Sequence, residues 1–132
     1  MKSMFSVVMA FSIFAFSHVA NAADAKNITI DDAAKMLKSD TNIVVLDVRT
    51  PREFQAGHIK GATNINFNDK EFAKRVAALD KNKTYIVHCA AGGRSAKACE
   101  QIKTMDFKNM LHMNQGFNAW KEAGKPIEKE KE

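Results

Sequence analysis

Two cysteines are the side chains of this sequence best suited to covalent chemistry. Cys89 follows an apolar run and precedes the small residues 90–93, whereas Cys99 lies ten residues further on. Small residues let the backbone curl so that successive N–H groups point at one centre. A helix beginning at Gly93 would add the positive end of its dipole. The pattern predicts that Cys89 is an exposed nucleophile of low pKa.

A helix terminus alone does not account for such a thiolate. Its dipole contributes at most about 2 kcal/mol, or roughly 1.5 pKa units, so several loop amides must also stabilise the sulfur. The alternative is a buried thiol at the end of a strand that takes no part in chemistry. The glycine-rich stretch after Cys89 favours the reactive interpretation.

Strands and helices are predicted to alternate along the chain. The predicted strands are 27–30, 42–47, 63–67, 84–88 and 110–113. The predicted helices are 31–37, 51–57, one capped by residues 68–71 that runs to 79, 93–105 and 117–123. This alternation indicates an α/β domain with a mostly parallel sheet. Ligands bind at the carboxyl edge of such sheets, which is where Cys89 is expected.

The first 22 residues have the layout of a secretory signal peptide. Lys2 precedes an apolar run at 4–16, and Ala20 and Ala22 are small residues at the positions that a signal peptidase reads. An uncleaved anchor is the alternative, although the run is short for a bilayer span. We expect cleavage after Ala22, an exported protein in the periplasm or outside the cell, and no stable membrane span after cleavage.

The composition favours one globular domain. The chain has 132 residues, 45% of them hydrophobic and 27% charged, and we place the domain at 23–127 and a charged tail at 128–132. Residues from Lys125 onward are expected to be solvated and frayed. The net charge of +5 is interspersed, which does not favour a nucleic-acid partner. No zinc-binding spacing occurs, so we predict no metal or cofactor, and we expect a monomer.

Three motifs together resemble the rhodanese family of sulfurtransferases. The loop CAAGGRS at 89–95 is similar to its active-site loop, and LDVR at 46–49, EF at 53–54 and GHI at 57–59 are similar to a second signature. GFNAW at 116–120 resembles its closing helix. The resemblance covers residues 28–127 and implies a five-stranded, mostly parallel sheet with helices on both faces.

The resemblance also implies sulfur transfer through a cysteine persulfide. Cys89 would take sulfur from a small anionic donor such as thiosulfate, and cyanide or a thiol, including one on a protein, would accept it. Arg94 would add a fixed positive charge at the rim. The backbone amides that would hold the persulfide are those of Ala90, Ala91, Gly92, Gly93, Arg94 and Ser95.

The sequence departs from the family at two places. Ala90 and Ala91 stand where some members have cationic or polar residues that meet an anionic donor, so the resemblance implies sulfur transfer more directly than it implies thiosulfate as the donor. Gln115 precedes Gly116 where a double glycine is more usual, which leaves the local geometry open.

Other polar residues are expected to support the loop. We expect Asp47, Arg49 and Glu53 to form a charge and hydrogen-bond cluster, with direct catalysis as the alternative. His58 is expected to be a structural histidine. His88 should point away from Cys89 because side chains alternate along a strand, which argues against a protease-like Cys–His couple.

Cys99 is expected to lie in the core on the helix that begins at Gly93. A resolving thiol in an oxidising compartment is the alternative. A disulfide with Cys89 is disfavoured, because two turns of helix place the two Cα atoms beyond the ~7 Å that a disulfide tolerates.

Two other functions stay open. A non-catalytic sulfur carrier or redox sensor would load sulfur on Cys89 and pass it to a protein. A cysteine phosphatase or arsenate reductase would use a similar loop. The family resemblance implies that those enzymes have one residue more in this loop, so the six residues from Cys89 to Arg94 favour sulfur transfer. A phosphatase also needs an acid for the leaving oxygen, and Asp69 is a loosely placed candidate.

Overall fold

Strands and helices alternate through residues 24–131, the part of the chain that the computed structural model describes. In that range the strands are β1 (Lys26–Ile28), β2 (Ile43–Asp47), β3 (His58–Ile59), β4 (Thr63–Asn64), β5 (Thr84–His88), β6 (Asn109–Met113) and β7 (Ile127–Glu128). The helices are α1 (Ile30–Ser39), α2 (Pro51–Ala56), α3 (Phe72–Ala77), α4 (Gly93–Ile102) and α5 (Gly116–Glu122).

Five of these strands form one parallel sheet in the order β1-β6-β5-β2-β4. The central strand β5 pairs with β2 on one side and with β6 on the other. This topology confirms the predicted α/β fold with a five-stranded parallel sheet. The carboxyl ends of parallel strands meet at one edge of the sheet, and Cys89 follows β5 at that edge.

Helices cover both faces of the sheet. Alternate strand residues point to opposite faces, so each central strand supplies two apolar clusters. Leu46 and Val87 pack in the cluster that α3 and α4 cover. Val45 and Ile86 pack in the cluster that α1 and α5 cover. Burial on both faces explains why β2 and β5 read as continuous apolar runs.

The first helix begins at Ile30, inside the predicted strand 27–30. Thr29 caps it, since its Oγ1 accepts the N–H of Asp32 at 3.0 Å and Asp32 Oδ2 accepts the N–H of Thr29 at 3.3 Å. This reciprocal capping box fixes the start of the helix and ends β1 at Ile28.

The third helix begins later than predicted and lacks the predicted side-chain cap. Its N-cap residue Glu71 makes no side-chain capping hydrogen bond. Asp69 Oδ1 instead accepts the N–H of Glu71 at 2.9 Å, in a turn ahead of α3. An Asp side chain that binds nearby backbone competes with helix formation, which explains why residues 68–71 stay outside.

Two more elements are shorter than predicted. β4 contains only Thr63–Asn64, and the N–H groups of Ile65 and Phe67 donate to the carbonyls that end β2 and follow it. α4 ends at Ile102 instead of residue 105.

The residues from Lys125 onward are not simply frayed. Ile127–Glu128 form β7, which pairs antiparallel with β3, so that Ile127 opposes Ile59 and Glu128 opposes His58. The N–H of Glu130 also donates to the carbonyl of Gln55 at 3.3 Å. This part of the tail expectation is wrong, because Ile127 packs against the cluster that α1 and α5 cover.

Within residues 24–131 no helix is both long enough and apolar enough to cross a bilayer. The predicted signal peptide at 1–22 lies outside the described residues.

Candidate active site

The loop after β5 is shaped by a glycine in a left-handed conformation. Gly92 is the N-cap of α4, and its φ is 102°. A Cβ atom on Gly92 would lie 2.4 Å from the carbonyl oxygen of Asn114. Both features exclude a side chain at Gly92, so the loop turns back on Cys89 as closely as the sequence predicts.

The sulfur of Cys89 is buried and surrounded by hydrogen-bond donors. The residue is 2% exposed. The N–H of Gly92 donates to Sγ at 3.1 Å, and the hydroxyl of Ser95, 3.3 Å away, donates to Sγ in its thiolate form. The expectation that Cys89 is exposed is therefore wrong, because the loop wraps around the sulfur.

The donors hold the pKa of the Cys89 thiol below its ordinary value. Burial of the sulfur opposes this by raising the pKa, since a thiolate is less stable away from water. The hydroxyl of Ser95 and the backbone N–H groups of Ser95, Ala91 and Gly92 outweigh burial, because they stabilise the charged form. The direction agrees with the predicted low pKa.

Arg94 forms an ion pair with Glu53. Its Nη1 lies 2.7 Å from Oε1 of Glu53, and its Nη2 lies 3.0 Å from Oε2. This hydrogen bond from Arg94 lowers the pKa of Glu53 to about 2, with help from Thr50 and against the effect of burial. Glu53 is fixed in turn by the capping box of α2, whose N-cap is Thr50. Arg94 therefore ties α4 to α2, and its charge is balanced by a carboxylate.

Asp47 and Arg49 form a second, buried ion pair. Arg49 Nη2 lies 2.8 Å from Asp47 Oδ2 and donates to the carbonyl of Gly57 at 2.7 Å. The guanidinium carbon lies 4.0 Å from the ring centre of Phe117. The predicted cluster is thus two pairs, and this one braces α2 and α5.

The start of α5 rests on the backbone of the cysteine loop. The N–H of Phe117 donates to the carbonyl of Cys89 at 2.8 Å, and the N–H of Asn118 donates to that of Ala90 at 3.1 Å. Gly116 has a φ of 78°, and a Cβ there would lie 2.3 Å from the Ala90 oxygen. Asp47 and Arg49 therefore support the loop through Phe117.

Gln115 does not need the conformational freedom of a glycine. Its φ and ψ of −68° and −27° are helical. Its Oε1 accepts the N–H of Ile30 at 2.9 Å, at the start of α1. The departure from a double glycine thus leaves the contact of Gly116 with the loop intact.

His58 and His88 are both buried, and each lies within hydrogen-bond distance of a backbone carbonyl. His58 stacks on Phe54 with ring centres 3.8 Å apart, and its Nδ1 lies 2.8 Å from the Phe54 oxygen. His88 is fully buried beside Phe117 and Asp47. Its Nδ1 donates to the carbonyl of Cys89 at 3.0 Å, so it touches the backbone of that residue and not the sulfur.

Cys99 is a buried free thiol in the cluster that α3 and α4 cover, as predicted. Burial raises its pKa to about 12, with smaller contributions from Glu100 and Cys89. Cys89 is also a free thiol.

Sequence reasoning missed His112. Its Nε2 lies 2.7 Å from the Ser95 hydroxyl oxygen, and its Nδ1 lies 3.1 Å from Asn27 Oδ1. The signal was the strand pattern, since His112 is a polar residue between the apolar Leu111 and Met113 of β6 and so faces the opposite side of the sheet.

A cavity of about 450 Å³ lies beside the loop. Its lining includes Ala91, Gly92, Asn27, Cys99 and His112. Within residues 24–131, no three His, Cys, Asp or Glu side chains come together where they could hold a metal ion.

Most of the described chain matches the model of a known protein family. Residues 29–123 match the model of the rhodanese-like domain. The chain belongs to the rhodanese-like family. A rhodanese-related protein from Thermoplasma volcanium has the same fold, with a TM-score of 0.71 and 32% identity over 80% of this chain and 99% of that one.

Relatives of this rhodanese-like domain include sulfurtransferases. Thiosulfate sulfurtransferase 16 of Arabidopsis thaliana is 33% identical over 91 residues, which are 61% of this chain and 76% of the relative. A Bacillus subtilis protein named "Putative sulfur carrier protein YrkF" is 29% identical over 100 residues, which are 76% of this chain and 53% of the relative. Several curated relatives are longer than this chain, which spans 27% of the length of one and 58% of another.

Proposed function

We propose that the protein is a sulfurtransferase that carries sulfane sulfur as a persulfide on Cys89. The observation that carries this proposal is the set of donors around the Cys89 sulfur, which favours its thiolate despite burial. A thiolate is the nucleophilic form of cysteine, and this one lies at the sheet edge where α/β proteins bind ligands.

The proposed reaction has two displacements at sulfur. In the first, the Cys89 thiolate attacks the outer sulfur of thiosulfate, a sulfur–sulfur bond to Cys89 forms, and sulfite leaves with the electron pair of the broken bond. In the second, cyanide or a thiolate attacks the outer sulfur of the persulfide, and the Cys89 thiolate leaves. One negative charge stays on the protein-bound sulfur throughout.

The donors that favour the thiolate would also favour the persulfide anion. The N–H groups of Ala91, Gly92 and Ser95 and the Ser95 hydroxyl surround the sulfur. Fixed donors of this kind stabilise developing negative charge without having to reorganise. Glu53 balances the positive charge of Arg94. We therefore propose that these donors stabilise the persulfide anion more than Arg94 does.

The proposed partners are a small anionic sulfur donor and a thiol or cyanide acceptor. Burial of Cys89 favours small reactants, since the residue is 2% exposed. The signal-peptide pattern at 1–22 supports the further proposal that the protein is exported.

Turnover of thiosulfate and cyanide by the purified protein tests the proposal. We expect thiocyanate formation by the parent chain and its loss in Cys89→Ser. Cys99→Ala is the matched control, because it removes the other thiol and should leave turnover unchanged. Turnover that survives in Cys89→Ser would overturn the proposal.

A sulfur carrier is the second candidate. The relative named as a sulfur carrier protein favours it. A carrier would take one sulfur atom onto Cys89 from thiosulfate and yet give no turnover with cyanide or small thiols. Efficient hydrolysis of an aryl phosphate would instead favour a phosphatase, against the six-residue spacing from Cys89 to Arg94.

A further inference from the structure

A row of hydrogen-bonded side chains leads from Cys89 to β1. Ser95 Oγ lies 3.3 Å from Cys89 Sγ and 2.7 Å from His112 Nε2. His112 Nδ1 lies 3.1 Å from Asn27 Oδ1. Ser95 is fully buried and His112 is 7% exposed. The row therefore connects the reactive sulfur to a titratable ring that bulk water barely reaches.

The far end of the row fixes one proton. Asn27 Oδ1 can only accept, so His112 Nδ1 must carry a proton to donate to it. A neutral His112 then has a bare Nε2, which accepts the Ser95 hydroxyl proton, and the Ser95 oxygen can accept from a Cys89 thiol.

A protonated His112 reverses the direction of the row. Nε2 then donates to Ser95 Oγ, and the Ser95 hydroxyl donates to a Cys89 thiolate. The carbonyl of Gly92, 3.2 Å from Ser95 Oγ, is a competing acceptor for the hydroxyl. Both directions satisfy each member of the row with the same heavy-atom positions, and they differ by one proton moved from Sγ to Nε2.

We propose that His112 takes up the proton of Cys89 through the Ser95 hydroxyl when the nucleophile forms. This inference rests on the proposed function, in which the Cys89 thiolate starts the reaction. The S–H bond of Cys89 and the O–H bond of Ser95 break while a new O–H and a new N–H bond form, so the net change is thiol and imidazole to thiolate and imidazolium. His112 acts through Ser95 and is a positioning residue.

Titratable groups face His112 from the elements packed against it. Cys99 and Glu100 of α4 and Asp24 ahead of β1 line the same cavity. Lys103 pairs with both carboxylates, at 2.8 Å from Glu100 and 3.3 Å from Asp24. Burial, and then His88 of β5, hold the pKa of His112 below its ordinary value, which favours the neutral ring whose bare Nε2 can accept a proton.

The rate of iodoacetamide alkylation of Cys89 as a function of pH tests the inference in a Cys99→Ala chain. We expect His112→Asn to lower the thiolate fraction at neutral pH about tenfold, which is a rise of about one unit in the apparent pKa of Cys89. Asn27→Asp should shift the profile the opposite way, because a carboxylate favours the imidazolium.

Removal of Ser95 supplies the control for a merely structural effect. In a Ser95→Ala chain, His112→Asn should cause no further shift, because the row is already broken. Asn27 is exposed, so we expect Asn27→Asp to fold. Its alkylation profile tests the role of His112 should His112→Asn fail to fold. Profiles that superimpose, or a His112→Asn shift of equal size without Ser95, would overturn the inference.

Thiosulfate turnover separates this inference from the proposed function. A shifted alkylation profile in a chain that transfers no sulfur would retain the role of His112 and overturn sulfur transfer. Normal transfer with an unshifted profile would overturn the role of His112 alone.

Discussion

Two buried thiols of this protein differ in pKa because their neighbours differ. Cys89 and Cys99 are 2% and 7% exposed, so both lose hydration. Only Cys89 receives hydrogen bonds from backbone amides and a hydroxyl, and the pKa of its thiol falls, whereas that of Cys99 rises to about 12. Hydrogen-bond donors, not exposure, therefore decide which thiol is the nucleophile.

Alkylation at neutral pH should distinguish the two thiols. We expect iodoacetamide to modify Cys89 about tenfold faster than Cys99 or more, because only the thiolate reacts. Peptide mapping by mass spectrometry after a timed reaction measures the ratio. Equal modification of the folded protein would show that the donors do not set the pKa of Cys89.

The Glu53–Arg94 pair should stabilise the fold in a pH-dependent way. The pKa of Glu53 is lowered to about 2, so the contribution is full above the unfolded value of about 4.5 and is lost as the pH falls towards 2. Glu53→Gln should lower the free energy of unfolding at pH 7 by about 0.5–1 kcal/mol, because both groups are partly exposed.

Urea denaturation at neutral and acidic pH measures this difference. Arg94→Gln supplies the control, since Glu53→Gln in that background should have little further effect. A difference between parent and Glu53→Gln that persists unchanged near pH 2 would contradict the assignment.

At the scale of elements, the site depends on two glycines where the loop before α5 crosses the cysteine loop. Gly92 and Gly116 both have positive φ, and a Cβ on either would meet a carbonyl oxygen at less than 2.5 Å. The crossing allows α5 to donate two N–H groups to the carbonyls of Cys89 and Ala90. These hydrogen bonds fix the backbone carbonyls of the loop, whereas the N–H of Gly92 and the hydroxyl of Ser95 contact the sulfur.

Gly116→Ala should destabilise the protein more than Gly124→Ala does. Gly124 also has a positive φ, but a Cβ there meets nothing within 4 Å, so its substitution costs about 1 kcal/mol. Gly116→Ala adds a backbone clash worth about 1–3 kcal/mol. Thermal or urea unfolding measures both variants, and equal losses would show that the crossing is loose.

Sequence patterns predicted the strands and helices whose positions depend on neighbouring residues in the sequence. The apolar runs of β2 and β5 and the capping box at Thr50 and Glu53 are local signals, and the structure confirms them. The predicted starts of α1 and α3 were wrong, because hydrogen bonds of the Thr29 and Asp69 side chains to nearby backbone determine where these helices begin. The pairing of β3 with β7 joins segments about seventy residues apart, which no local pattern records.

Contacts between residues distant in sequence also limited what could be predicted about the candidate site. The loop and its low-pKa cysteine follow from small residues at fixed spacing, so sequence alone finds them. His112 reaches Ser95 only because β6 lies beside β5 in the sheet, and its role depends on a contact 17 residues apart in sequence. The Arg94 charge was expected at the rim, but the sequence does not show that Glu53 pairs with it.

At the scale of the whole molecule, strand β7 joins the last described residues to β3, the strand that follows α2. β7 pairs with β3, Glu128 Oε2 lies 3.6 Å from His58 Nε2, and Ile127 packs against the cluster under α1 and α5. These contacts join β7 to β3 and to the apolar cluster, and they do not include Cys89. The strand should therefore contribute to stability and not to chemistry.

Truncation after Pro126 should lower the free energy of unfolding by about 1–2 kcal/mol, through lost hydrogen bonds and apolar burial. Truncation after Lys129 retains β7 and should have a much smaller effect. The pH profile of Cys89 alkylation should be the same in both. A shifted profile in the shorter chain would place β7 in the support of the site.

The mass of the protein after incubation with thiosulfate tests the central claim most directly. We predict a gain of one sulfur atom on the parent chain, located at Cys89 by peptide mapping and removed by cyanide. Cys99→Ala should gain the same atom, and Cys89→Ser should gain none. A chain that stays unmodified, or a sulfur atom found on Cys99, would contradict the proposal that Cys89 carries the sulfur.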